Sequence, residues 1–357
     1  MTRLSDLTTL RVGGPVRSLV DTSGERDFID AIKDADAAGS PLLVLGGGSN
    51  VLASDDPFDG VVVRDRRRDI YVQDDGACGG VSVTITAGTP WDDVVARACE
   101  DGWVGIEALS GIPGSTGATP VQNVGAYGAE IADVLALVRV WDRLESRVRS
   151  LARVDCGFGY RDSLLKRSMR AAAPDAGEWR PTPRYVVLDV TLQMRHGTLS
   201  APIRYAQLAK ALDVEEGARL PLGDVRQAVI DVRASKGMVL DAADHDTWSA
   251  GSFFTNPILS ASAAATLPED APRFGAEDGQ VKTSAAWLIE RAGFARGFAV
   301  SADAPAGLST KHTLALTNRG TAAAADVAEL ARAVRDGVHS AFGVELVPEP
   351  VLVGLTL

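Results

Sequence analysis

Pro41-Leu42-Leu43-Val44-Leu45-Gly46-Gly47-Gly48-Ser49-Asn50-Val51-Leu52 is the stretch on which the fold turns. Its first five residues read as a buried strand that runs directly into three glycines. A glycine loop after a strand commonly opens a dinucleotide-binding βαβ unit, in which G-x-G-x-x-G/A starts a helix whose N-terminus holds the phosphates. Here Val51 stands where the last small residue is needed, and Ser54-Asp55-Asp56-Pro57 leads to another strand, Val61-Val62-Val63. No Gly-Lys-Ser/Thr follows, so a P-loop is excluded as well. Strand, glycine loop, strand remains: either a backbone nest that holds a pyrophosphate without a helix N-terminus, or a plain glycine-rich turn.

A second such loop is Gly111-Ile112-Pro113-Gly114-Ser115-Thr116-Gly117-Ala118-Thr119-Pro120-Val121-Gln122-Asn123-Val124-Gly125-Ala126-Tyr127-Gly128, with five glycines, two prolines and no formal charge. This composition predicts neither helix nor strand, and a run of backbone N–H groups open to an anionic or flat ligand. Ile112, Val121, Val124 and Tyr127 give it apolar anchors, which argues against disorder.

Around the two loops the pattern predicts strands at Arg17 to Asp21, Val81 to Ala87, Val134 to Trp141 and Tyr185 to Met194. In the last of these, Val186, Leu188, Val190, Leu192 and Met194 are expected on one face and Asp189, Thr191 and Gln193 on the other. Helices are predicted over Asp27 to Ala38 and Trp91 to Glu100, and an exposed loop over Arg167 to Pro183. From about Leu199 helix is more frequent, with Tyr205 to Leu212, Gly223 to Ala234, Thr283 to Ala292 and Ala323 to Phe342 before a closing strand, Val351 to Leu357. Ala250-Gly251-Ser252-Phe253-Phe254-Thr255-Asn256-Pro257 reads as a tight turn beside an aromatic wall, and Arg66-Arg67-Arg68 as a solvated surface cluster in preference to a phosphate contact.

With 357 residues, 46% of them hydrophobic, the chain has material for two or three domains. Its formal net charge of −11 argues against a general nucleic-acid or membrane-surface binder, so an anionic ligand needs a local cluster. Cys78, Cys99 and Cys156 are an odd number without metal-ligand spacing, which fits a reducing compartment. Met1 to Leu10 lacks the basic-then-apolar pattern of a signal peptide, and a cytoplasmic location is expected. His196, His245, His312 and His339 are scattered, so metal and triad chemistry have little support and no metal is expected. Two uncharged glycine loops on strands suit an enzyme that borrows its reactivity from a dinucleotide held by backbone amides. Arg161 can offer a carboxylate two parallel hydrogen bonds, or simply form a salt bridge with Asp162 or another acid. By local sequence alone, Ser252 reads as a turn serine and Glu349 as a surface acid.

Taken together, Gly46 to Leu52, Gly111 to Gly128, Tyr160-Arg161-Asp162-Ser163, Ala250 to Pro257 and Glu345-Leu346-Val347-Pro348-Glu349 resemble, in order and over nearly the whole chain, the UDP-N-acetylenolpyruvoylglucosamine reductases of bacterial peptidoglycan synthesis. The resemblance implies an α+β fold: a two-part FAD-binding domain of the vanillyl-alcohol-oxidase (PCMH) type over residues 1–198, in lobes of about 1–66 and 67–198, then an α+β substrate domain over 199–357. The last strand is expected to return to the FAD lobe. Gly46, Gly47, Gly48, Ser49, Asn50, Ile112, Pro113, Gly114, Ser115, Gly117 and Ala118 would hold a non-covalent FAD, with Val121 and Gln122 near its ring and NADPH as co-substrate. Arg161 matches the arginine that binds the substrate carboxylate, Ser252 the proton donor and Glu349 the catalytic glutamate. Ile203-Arg204-Tyr205-Ala206-Gln207-Leu208 resembles the loop of the tyrosine-containing group, which assigns Tyr205 to the substrate together with Lys236, Asn256 and Lys282. Leu346-Val347-Pro348-Glu349-Pro350 departs from the family's more usual Leu-Glu-x-Glu-Val but keeps the second acid. Implied partners are the UDP-sugar and NADPH, without nucleic acid or membrane, on a monomer. The rival reading is a flavin oxidase or dehydrogenase of the same fold acting on a hydroxy acid or sugar lactone.

Overall fold

In the computed structural model, which describes residues 1–76, 79–169, 179 and 181–357, the chain packs as two units. The larger comprises residues 16–48 and 58–239; the smaller comprises 1–15, 49–57 and 240–357. The chain thus changes units between Gly48 and Ser49, at the end of the first glycine run.

The larger unit is built mainly on two sheets. In the first, Phe58–Asp65 lies between Val16–Thr22 and Leu42–Val44, all parallel. Such pairing needs crossovers, and the helix Glu25–Ala37 supplies one, ending where Gly39 adopts φ +60°. The second sheet is antiparallel, in the order Arg147–Ala152, Leu135–Asp142, Tyr185–His196, Gly80–Thr86 and Ile70–Gly76. One core joins its Val83, Ile85, Val138, Val190 and Leu192 to Trp91, Val94, Val95 and Ala98 of the helix Trp91–Glu100. Another packs Phe28, Ile32 and Ala35 against Leu42, Val63, Trp141, Val186 and Leu188.

These two cores correct the single-face reading of Tyr185 to Met194. Val186 and Leu188 lie in one core, whereas Val187, Val190, Leu192 and Met194 lie in the other. The pairing register shifts between Arg139 and Val140, whose partners are Asp189 and Val187. An extra residue there reverses which side the later side chains face, so one strand serves two cores. Asp189, expected on a solvated face, is buried and paired with Arg139.

Two surface expectations are corrected too. Arg67 is no solvated charge: it bonds Asp65 at 2.7 Å, Glu25 at 3.2 Å and the Leu188 carbonyl at 2.9 Å. Thr182 is buried, donating to the Leu42 carbonyl at 2.9 Å and accepting from the Val44 N–H at 2.8 Å, so that end of the loop over Arg167 to Pro183 is packed. Residues 170–178 and 180 of that loop lie outside the described residues.

Asp142 gives the larger unit an acid-sensitive point. Its fully buried carboxylate accepts two bonds of 2.7 Å from Arg184. Burial alone would raise its pKa, but Arg184 and the Glu145 N–H outweigh it and hold the carboxyl below the usual range. A depressed carboxyl stabilises the fold above its unfolded pKa of about 4, and that stabilisation is lost as pH falls through the folded value. Asp142→Asn should cost about 3 kcal/mol in a urea titration at neutral pH, the usual cost of breaking a buried pair, and should flatten the acid limb of the stability curve.

The smaller unit is built on Ala306–Leu308, Ala315–Asn318 and Ser249–Ser252, with Ala315–Asn318 central, and on a three-stranded sheet of Ile258–Leu259, Val281–Lys282 and Phe274–Gly275. Val351–Val353 pairs in parallel with Val51–Ala53, the strand that follows the glycine run directly, and the chain leaves strand conformation after Val353, before Leu357. The helix Ala324–Phe342 buries Val327, Leu330, Ala331, Val334 and Val338 against Leu10, Leu52, Phe253, Phe254, Leu308 and Leu316.

Candidate active site

The two glycine loops of the larger unit meet. A Cβ on Gly47 would lie 2.7 Å from Gly114 Cα, and one on Gly46 would lie 2.1 Å from Ser115 Oγ. Only glycine allows this approach at Gly47, because the opposing atoms are backbone. Among the described residues, the N–H groups of Gly46, Gly47, Gly48, Gly114 and Ser115 have no acceptor. They form a cluster of donors without a nearby acid in either loop, the chemistry that suits a pyrophosphate.

Downstream the loop is more ordered than its composition predicts. Thr119–Gln122 is one helical turn, and Gly125–Ala126 pairs with Ala129–Glu130. Several of its N–H groups are spent internally, Thr116 on the Thr89 carbonyl at 2.8 Å and Gly117 on Ala87 at 2.9 Å. Ala118 bonds back to Ser115 at 3.0 Å. Gly117 is required for a different reason from Gly47: a Cβ there would stand 2.6 Å from that of Ala87. Ile112 and Val121 pack on the core, and the Val121 carbonyl accepts the Ser163 hydroxyl at 2.7 Å. The side-chain amide nitrogen of buried Gln122 has no partner among the described residues. A buried, unsatisfied donor fits a ring that carries carbonyl acceptors, as the flavin of FAD does.

Arg161 sits in a tight turn closed by Gly159 and Asp162, at φ +53°, uncommon for a residue with a side chain. Its guanidinium donates to the carbonyls of Asn123 at 3.2 Å and Gly125 at 2.5 Å, while Lys166 Nζ holds its own carbonyl at 3.0 Å. Asp162 pairs with Arg167. Asn123 and Tyr127 also have positive φ, so three such residues surround this part of the loop. Backbone strain of this kind concentrates at functional sites.

Tyr205, half exposed, meets Tyr127 edge-to-face at 5.6 Å. Lys236 Nζ lies 5.7 Å from the Tyr127 ring centre and donates to Gln207 at 2.6 Å. Burial, then Arg233, lowers the Lys236 pKa, and burial raises that of Tyr127. Tyr127 and Arg233 are the residues that sequence reading missed here. Tyr127 carried a signal, as the aromatic next to the final glycine of an otherwise small-residue loop.

The smaller unit holds the other candidates. Ser252 lies in the strand Ser249–Ser252, not in a tight turn; Gly251 at φ +73° and a register shift between Ser249 and Ser252 bend that strand. The next residue, Phe253, accepts the Glu349 N–H on its carbonyl at 2.8 Å, so Ser252 and Glu349 lie on adjoining segments. Asn50 Nδ2 donates to the Glu349 carbonyl at 3.4 Å. Ser49 belongs to this unit as well. Asn256 accepts the Ala285 N–H at 2.9 Å, tying its amide to the start of the helix Ala285–Arg291. Lys282 lies on the middle strand of the small sheet, opposite Ile258 and Phe274. Arg161, Tyr205 and Lys236 are thus placed by the larger unit, and Ser252, Asn256, Lys282 and Glu349 by the smaller.

Comparison with known proteins decides the family. Residues 18–150 match the FAD binding domain family, and residues 242–353 match the UDP-N-acetylenolpyruvoylglucosamine reductase C-terminal domain. The UDP-N-acetylenolpyruvoylglucosamine reductase of Cutibacterium acnes is 53% identical over 354 residues, covering 99% of this chain and 90% of that protein. The chain belongs to the UDP-N-acetylenolpyruvoylglucosamine reductase family. The reductase of Thermobifida fusca is 48% identical, covering 99% of this chain and 97% of its own length. The crystal structure of the Thermus caldophilus reductase superposes with a TM-score of 0.63 at 25% identity, covering 99% of this chain and 97% of that one. The fold is accordingly α+β, an FAD-binding domain of the PCMH type with the reductase's C-terminal domain. Among the described residues, no helix is long and apolar enough to cross a membrane.

Proposed function

We infer that this reductase converts UDP-N-acetylglucosamine enolpyruvate to UDP-N-acetylmuramate with NADPH as reductant. The observation that carries the reading, beside the full-length family match, is the pair of facing glycine loops with their unspent amides, which fit FAD. The flavin that these loops would hold would supply, once reduced by NADPH, a hydride for the terminal methylene carbon of the enolpyruvyl group.

The side chains handle the charge that this transfer creates. Negative charge accumulates on the carbon beside the carboxylate and spreads into it. Arg161, its plane held by two carbonyls, binds that carboxylate. Ser252 Oγ gives its proton to the carbon, so a hydride and a proton together saturate the double bond. A serine hydroxyl is a weak acid, but the carbanion is a strong base and needs a donor only at close range. Glu349 is the second catalytic acid of this reading and helps only where it shares a hydrogen bond, since a bare carboxylate would oppose the developing charge. Tyr205, Lys236, Asn256 and Lys282 bind the nucleotide sugar, Lys282 at its diphosphate. The role-based division at residues 198 and 199 belongs to this reading, with the tyrosine segment assigned to the substrate although it packs in the larger unit. The protein works as a cytoplasmic monomer.

The test is a steady-state assay with purified protein. Nicotinamide absorbance should fall only when the enolpyruvyl nucleotide is added, and the product should be two hydrogens heavier. NADPH consumption that ignores this nucleotide but follows a hydroxy acid or sugar lactone would overturn the assignment.

A further inference from the structure

Both ends of the second glycine loop are gripped by one segment of the larger unit, and that segment also carries Tyr205 and Lys236. At the leading end, Asp92 accepts the Gly111 N–H at 2.6 Å and is itself held by Arg226 through bonds of 2.7 and 2.9 Å. Arg226 lies on the helix Leu222–Ser235. From the same helix, buried Arg233 donates to the Gly111 carbonyl at 3.2 Å and to the Met238 carbonyl at 2.8 Å. Gly111 has φ +68°, and a Cβ there would touch the Arg233 stem at 3.5 Å. Its carbonyl is therefore fixed by this helix directly, and its N–H by Asp92 of the helix Trp91–Glu100, which Arg226 holds in place. At the trailing end, Tyr127 meets Tyr205 and Lys236, and a Cβ on Gly128 would lie 2.9 Å from that of Arg204. Lys236 is the residue that ends this helix.

We propose that Arg226 is a positioning residue which, through Asp92 and Gly111, couples the hold on the flavin to the hold on the nucleotide sugar. This rests on the functional reading above. A nucleotide bound by Tyr205 and Lys236 orders the segment that grips the loop at both ends, and the ordered loop presents its amides better to the cofactor. By linkage, the flavin returns the same factor to the nucleotide. Asp92 suits the role electrostatically: burial acts to raise its pKa, but Arg226 and the Gly111 N–H prevail and keep it ionised. A bidentate arginine fixes such a carboxylate in two directions, which lysine does not.

The test measures flavin affinity from the fluorescence of flavin released over a dilution series of holoenzyme, with and without saturating UDP-N-acetylmuramate. The nucleotide should tighten flavin binding in the unaltered protein by about tenfold, an ordinary allosteric factor. Arg226→Ala and Arg226→Lys should reduce that factor to less than about twofold, while thermal unfolding with nucleotide absent shows both variants folded. Loss of the factor in Arg226→Lys, which keeps the charge, identifies the fork geometry as the cause. An unchanged factor in both variants, or no factor in the unaltered protein although the nucleotide binds, overturns the coupling alone. Failure of the nucleotide to bind at all overturns the coupling and the functional reading together.

Discussion

Ser252→Ala should leave reduction of the flavin by NADPH intact and slow its reoxidation by the enolpyruvyl nucleotide by roughly 10²-fold or more, the usual scale of a lost general acid. The two half-reactions separate because only the second needs a proton at carbon. The fold should tolerate the change. Ser252 is half-buried at the end of a short strand, and its neighbours Phe253 and Phe254, edge-to-face at 5.1 Å, carry the packing there. The bend at Gly251 and the N–H of Glu349 on the Phe253 carbonyl position the serine through backbone that alanine retains. Stopped-flow absorbance follows each half-reaction separately. Equal slowing of both would assign Ser252 a structural role and remove it from the chemistry.

Gly47→Ala should abolish flavin binding in a protein that still folds. The added Cβ would stand 2.7 Å from Gly114 Cα and 3.1 Å from its carbonyl carbon, where carbon atoms settle at about 3.5–4.0 Å. Backbone cannot rotate aside, so the loops must separate and the amides of Gly46–Gly48 and Gly114–Ser115 lose their common focus. Gly46→Ala is the control. Its Cβ would meet chiefly the Ser115 hydroxyl, the end of a side chain and not backbone, and flavin should be weakened but retained. The ratio of flavin to protein absorbance after purification reads both. A fully yellow Gly47→Ala protein would mean that the facing loops are not the pyrophosphate site.

Much of this was legible in the sequence because glycine spacing is a local property. The failed G-x-G-x-x-G test at Gly46 was enough to exclude a helix-borne phosphate site, and the strand Val51–Ala53 indeed follows the loop. Trp91–Glu100 is a helix with the predicted bounds, since its apolar face and flanking glycine act within one element. What escaped depends on partners distant in the chain. The reversal of facing at Leu188 needs a bulge set by the strand Leu135–Asp142, and Arg67 is buried because Glu25 and Asp65 converge on it. Ser252 was read as a turn because two adjacent small residues hide a strand whose pairing partner, Ala315, lies far along the chain. Within the site, the resemblance supplied residue identities, whereas the grip of Asp92, Arg226 and Arg233 on Gly111 has no signature at any fixed spacing.

One measurement tests the central claim most directly. The purified protein, yellow with non-covalent flavin, is reduced by NADPH under anaerobic conditions until the flavin absorbance is bleached, and UDP-N-acetylglucosamine enolpyruvate is then added. The account predicts that the yellow absorbance returns in the absence of oxygen, with one UDP-N-acetylmuramate formed for each flavin reoxidised. Flavin that stays bleached until oxygen is admitted would contradict it.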